Sequence, residues 1–231
     1  MQIGILQPGY LPWLGFFEQL AQSERFVLYD DVQYDHQGWR NRNRIKTAQG
    51  VQWLTVPVYY QFSAKALIKQ IQIDNRQKWQ RKHLSSLYHA YHQAPFFSVY
   101  YPQLQVLYAQ DWEYLADLDM ALIQQLAAWL GLAHIPLIRS STLDIKSTDR
   151  QRRLIEICQT LGADRFYEGA AGKSYIELER FARHQIQVVF QNYVHPIYAQ
   201  QHGAFIPYLS CLDLLLNHGP DSLTILCNRQ T

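Results

Sequence analysis

The opening of the chain leaves few folds available. Residues 3–6 are a short apolar run almost at the N-terminus, ended by Gln7-Pro8-Gly9. Proline cannot donate to a sheet and glycine turns freely. Leu14, Phe17, Leu20 and Ala21 recur at helical spacing, and Phe26-Val27-Leu28-Tyr29 is a continuous apolar run ending on Asp30-Asp31. Such a run suits a strand covered on both faces. Strand, helix and strand in that order predict a parallel pair with a crossover helix. In an open parallel sheet, ligands sit beyond the carboxyl ends of the strands, so Gln7, Asp30 and Asp31 are expected around one crevice.

The alternation resumes later. Residues 135–138 predict a strand, and Thr148 with Gln151 a capping box. Leu154, Ile155, Cys158 and Leu161 mark the buried face of the following helix, and Gly162 its stop. Residues 165–167 read as a strand, Ser174 with Glu177 as the cap of another helix, residues 186–190 as a strand, and residues 210–219 as a last helix. The fold class is therefore α/β, a mainly parallel, Rossmann-like sheet flanked by helices, in a single domain of residues 1–231. Between its two parts, residues 78–131 read as an all-helical insertion. Its helices are marked by Leu84, Leu87 and Tyr91, by an entry near Pro102, and by Asp111 as cap with Gly131 as stop. Residues 32–50 are polar and read as a long binding loop, and residues 51–58 as an alternating strand with Leu54 and Val56 on one side.

Composition narrows the function classes. With 21 basic and 19 acidic residues, the formal charge of +2 gives no electrostatic drive toward extended nucleic-acid binding. Cys158, Cys211 and Cys227 are three, widely spaced and without a CxxC pair, which predicts neither disulfides nor a thiolate zinc site. With no apolar run long enough to span a bilayer and no secretion signal, a cytoplasmic protein is expected.

The chemistry-bearing candidates fall into three groups. Asp30 and Asp31 end a strand and point in opposite directions, so one of them is expected to enter the crevice as a proton acceptor. His195, beyond a later strand end, is the third catalytic candidate. Trp39, Arg40, Arg42, Asn43, Arg44 and Lys46 combine cations, an amide and an aromatic ring, a composition suited to gripping an anion. Gln7, Tyr10, Trp13, Gln33, Trp39, Arg42 and Asn43 are the expected substrate contacts from the first half of the chain, and Glu168, Gly169, Lys173 and Asn192 those from the second. Gly172-Lys173-Ser174 is not a P-loop, because the position needing the first glycine is Tyr167. What remains is a glycine loop before a helix, a general anion-binding arrangement that competes with plain helix capping. His89 and His92 share a helix face but lack a third ligand, so no metal site is expected.

Several of these segments carry a resemblance. Residues 5–12 (ILQPGYLP), 29–34 (YDDVQY), 39–45 (WRNRNRI) and 53–58 (WLTVPV) are similar to the WbqC-like family. So are LGAD at 161–164, Glu168-Gly169, and the run from Tyr193-Val194-His195-Pro196 to Asn217 and Gly219. The resemblance implies a place in bacterial O-antigen and surface-polysaccharide gene clusters, with transfer of glycine to an amino sugar as one suggested activity. It brings no catalytic residues with it.

Together these lines predict an acyl or aminoacyl transferase acting on a nucleotide-linked amino sugar; the cofactor is left open, with ATP and an activated acyl donor as the candidates. Asp30 or Asp31 would take the amine's proton, Arg42 and Asn43 would hold phosphate, and Trp39 or Tyr10 would pack on base or sugar. Two alternatives remain open: a non-catalytic nucleotide- or carbohydrate-binding protein, and an adenylating enzyme of nucleotidylyl-transferase type, although the histidine signature of the latter is missing after the first strand.

Overall fold

The computed structural model of the chain describes residues 1–36, 38–61 and 65–227. Its centre is a five-stranded parallel sheet built from β1 (Gln2–Leu6), β2 (Arg25–Leu28), β7 (Leu137–Arg139), β8 (Arg165–Glu168) and β9 (Gln187–Phe190), in the order β7-β2-β1-β8-β9. The chain thus winds outward on one side of β1 and then crosses to the other. The reversal falls between β1 and β8. At the sheet centre Gly4 pairs with Phe26 and Tyr167. A side chain there would come within 2.7 Å of the Phe26 ring, so only glycine lets β1 lie this close to its covering layer.

Helices cover both faces, as the unbroken apolar strands require. On one face α1 (Leu14–Ala21), α2 (Trp79–Tyr91), α3 (Phe97–Tyr108), α4 (Leu115–Trp129), α7 (Cys211–His218) and α8 (Ser222–Leu226) share a continuous core with Phe26 and Leu28. On the other, α5 (Arg150–Leu161) and α6 (Leu178–Ala182) pack Leu154, Ile155, Cys158 and Phe181 on Ile3, Ile5, Val27 and Phe166. Strand β2 shows the alternation directly, with Phe26 and Leu28 in one core and Val27 in the other. Each fully buried side chain of this size contributes about 1.5–3 kcal/mol.

Three local expectations need correction. The polar loop of residues 32–50 is shorter than its composition implies, because β3 (Arg42–Thr47) pairs antiparallel with β4 (Gly50–Thr55). Its period-two signal is hidden by polar residues: Asn43 and Ile45 face inward while Arg42 and Arg44 face outward. A second small ladder joins β5 (Val58–Tyr59) to β6 (Gln72–Ile73). Helix α3 starts before Pro102, which sits inside it and leaves one i→i−4 hydrogen bond unmade. The caps also differ: Asp149, not Thr148, accepts the Arg152 N–H at the start of α5, and Tyr114, not Asp111, precedes α4. Gly162 closes α5 in the left-handed conformation that its position predicts.

Candidate functional site

At the carboxyl ends of β1, β2 and β8 the sheet opens into a crevice of about 690 Å³, at the strand-order reversal where such folds leave a gap between diverging connections. Gln7, Asp31, Gln33 and Glu168 line it, together with Tyr29, Thr148, Arg150, Arg153 and Tyr175. The residues arriving directly after strands therefore meet at one rim. Those after β9 do not: Asn192 is exposed outside the crevice, and its neighbour Gln191 turns inward to donate to Gly15 O and Glu18.

The two aspartates divide as strand alternation demands. Asp30 is 1% exposed and accepts from Arg139 Nε at 2.6 Å, Ser140 Oγ at 3.2 Å, and Ser141 N and Oγ at 3.0 and 2.9 Å. Its carboxylate is saturated and serves to tie β2 to the turn after β7. Asp31 faces the crevice, where Arg153 Nη2 holds Oδ2 at 2.7 Å and Ser140 Oγ donates to Oδ1. Arg153 also donates to Tyr29 Oη at 2.9 Å and Ser147 O at 3.1 Å, so it fixes the Asp31 wall in place.

Glu168 is the group best suited to move a proton. Burial pushes its carboxyl up to about 7, partly opposed by hydrogen bonds from Tyr175 Oη (3.1 Å) and the Gly169 N–H and by the Arg150 charge. A pKa near neutrality is what an acid–base catalyst needs. The side chain fits only because residue 172 is glycine, since a Cβ there would overlap Glu168 Cγ. Arg150 is exposed, with its guanidinium 3.9 Å from the Tyr175 ring centroid, leaving a stacked planar cation at the mouth.

A second compartment, about 420 Å³ and mainly apolar, adjoins the crevice and shares Leu6 and Gln7 with it. Trp13, Trp39, Tyr208, Arg40 and Arg44 contribute to its wall. Arg40 donates to the Gln7 and Pro8 carbonyls at 2.9 and 2.8 Å, and pairs with Asp35, so it stiffens the boundary between the compartments. Gly9 is constrained here as well: a Cβ would lie 2.8 Å from Trp39 O.

Several expected contact residues turn out to hold the frame. Asn43 lines the second compartment, yet its amide donates to Leu11 O at 2.7 Å and Tyr10 O at 3.3 Å while its oxygen accepts from Arg44 N. This clamps Leu11 at a φ of 45°, a strained value for leucine. Tyr10 is fully buried, bonded to His83 and Tyr108, and reaches neither cavity. Arg42 lies outside both cavities with its guanidinium 4.8 Å from the Trp53 centroid. His195 accepts from Tyr208 N at 3.1 Å through Nε2, which leaves Nδ1 to donate to Pro196 O at 2.9 Å. Burial lowers its pKa, and with both nitrogens engaged the neutral ring supports Trp13 and Tyr208 from behind. Gly169 follows Glu168, and Lys173 is exposed within a short 3-10 turn, Ala170–Ser174. In that turn Ser174 Oγ donates to Ala171 O and caps no helix.

Arg150 and Arg153 are the site residues that periodicity passes over. A signal for the arginines exists. Three arginines stand in the first turn of α5, where the helix dipole disfavours cations, so a partner elsewhere is implied. Among the described residues no group of three or more His, Cys, Asp or Glu side chains is placed to hold a metal ion. Nor is any helix long and apolar enough to cross a membrane.

A five-stranded parallel sheet with helices on both faces and a polar crevice at its switch point defines an α/β protein of Rossmann-like architecture. Sequence comparison makes this specific: the profile of the WbqC-like protein family matches residues 7–225, and the chain belongs to that family. A protein of Mycobacterium tuberculosis (strain ATCC 25618 / H37Rv), named as the uncharacterized protein Rv1507c, is 33% identical over 224 residues, covering 96% of this chain and 95% of its own. No solved structure matches.

Proposed function

We propose that the chain is an acyl or aminoacyl transferase acting on a nucleotide-linked amino sugar in surface-polysaccharide biosynthesis. The observation that carries this reading is Glu168, a buried carboxyl with a pKa near 7 that lines a crevice whose mouth carries Arg150. In this reading Glu168 takes the proton from the attacking amine. The amine nitrogen bonds to the acyl carbon, and the donor's leaving group departs with its bonding electrons. Arg150 holds a phosphate or carboxylate, and the Asp31–Arg153 pair fixes the opposite wall. Asp30, buried and saturated by donors, has no part in the chemistry.

The test is product formation. Purified protein is incubated with candidate amino-sugar nucleotides and amino acids, with and without ATP or charged tRNA, and products are read by mass. The expected result is a gain of one acyl unit that Glu168→Gln abolishes while ligand still binds. Ligand binding without consumption of any donor would instead favour a nucleotide- or carbohydrate-binding protein, a reading that the second, aromatic compartment would equally serve.

A further inference from the structure

The transfer chemistry above leaves the aromatic compartment unused. Its rings are held in place before any ligand arrives. Trp39 is 43% exposed, yet Arg44 lies 5.3 Å from its centroid and Trp53 braces it at 5.2 Å. Tyr208 is 51% exposed at the rim and sits at a φ of 58°, a left-handed conformation unusual for tyrosine. It is pinned there by His195, which accepts from its N–H, by Arg44, which donates to its carbonyl at 2.9 Å, and by Trp13 at 5.7 Å. Backbone strain and exposed, immobilised aromatic surface both oppose folding, and they persist where a ligand uses them.

We propose that this compartment is a nucleobase subsite. A planar heteroaromatic ring finds stacking partners in Trp39, Trp13 and Tyr208, and immobilised rings lose little entropy when it binds. Donors for its edge are present: Arg44 Nε is buried without a hydrogen-bond partner among the described residues, and Gln7 lines the same compartment. A sugar fits this wall less well. A pyranose needs many polar partners, but Arg40 Nη1 and the Asn43 amide already donate to the carbonyls of Gln7, Pro8, Tyr10 and Leu11, and Arg40 Nε is turned to Asp35. The shared residues Leu6 and Gln7 set the orientation, with the base on the aromatic side and its phosphate directed across Gln7 toward Arg150. This assignment rests on the transferase reading only for the identity of the group beyond the phosphate.

The test is calorimetric titration of the full chain with AMP, GMP, CMP, UMP and, as a base-free control, ribose 5-phosphate. At least one nucleotide is expected to bind 10-fold or more tightly than ribose 5-phosphate. Trp39→Ala should erase that preference by roughly 10-fold, leave ribose 5-phosphate affinity unchanged, and be rescued in large part by Trp39→Phe. Equal affinity for all five probes, no binding of any, or a preference that survives in Trp39→Ala overturns the subsite; circular dichroism verifies that the variants are folded. The two readings fail separately. Base-dependent binding without acyl transfer sinks the enzyme alone, whereas acyl transfer that Trp39→Ala leaves untouched, with no base preference, sinks the subsite alone.

Discussion

Replacing Glu168 by Gln tests the electrostatics of the crevice without any substrate. The Glu168 carboxyl titrates near the ordinary glutamate value of 4.5 when the chain is unfolded and is pushed up to about 7 when folded, because burial penalises the charged form. Between those pH values the native chain keeps a proton that the unfolded chain has lost, so stability must fall as pH rises through the window and stay reduced above it. The separation is about 2.5 pKa units, and at ~1.36 kcal/mol per unit this group costs the wild type about 3 kcal/mol above pH 7. Glutamine keeps an acceptor for Tyr175 Oη and cannot ionise. The variant should therefore gain about 3 kcal/mol over the wild type between pH 4.5 and pH 8, equivalent to roughly 6–12 °C in melting temperature for a chain of this size. Asp119 and Asp213, whose pKa values burial also raises, remain in both proteins, so their contribution cancels in the difference. Urea denaturation at pH 4.5, 6, 7 and 8 measures it. Parallel stability curves for the two proteins would refute the buried-carboxyl account and remove the basis for Glu168 as the proton acceptor.

The same reasoning yields three further outcomes. Asp30→Ala leaves the Ser140–Ser141 turn without its Asp30 acceptor and Arg139 with Asp117 alone; it should destabilise the fold by about 1–3 kcal/mol in chemical denaturation, and near-wild-type stability would show that the network carries no weight. Gly172→Ala drives a methyl group into Glu168 Cγ, so a loss of about 1–3 kcal/mol should accompany a displaced Glu168 pKa, read from the pH dependence of stability. Asn43→Ala releases the clamp on Leu11 and orphans the Arg44 N–H; a cost of about 2 kcal/mol is expected in thermal melts, with unchanged stability counting against Asn43 as a frame residue.

Much of the architecture was legible in the order of apolar runs. Residues 3–6 and 26–29 are too short and too continuous for surface helices, and the intervening helix permits only a parallel crossover. Strand β3 escaped this reasoning because its buried residues include Asn43 and Lys46, polar side chains whose burial is compensated by distant carbonyls. Periodicity sees hydrophobicity, and a buried amide bonded to backbone looks like a loop residue. Helix α3 escaped for a different reason: Pro102 resembles a helix start, yet it lies inside the helix, where it removes one i→i−4 hydrogen bond.

What the residue order settles is the address of the site. Parallel strands send all their carboxyl ends to one edge, so polar residues at or just past the ends of β1, β2 and β8, namely Gln7, Asp31 and Glu168, meet at the same rim. Their duties are settled only in three dimensions. Asp30 and Asp31 are neighbours of identical chemistry, and partners more than a hundred positions away, Arg139 with Ser141 for one and Arg153 for the other, make the first a structural tie and the second a crevice wall. The rise of the Glu168 pKa, the Arg150 cation at the mouth and the strained Tyr208 rim likewise arise from packing between remote segments, because burial and proximity are properties of the assembled core and have no local code.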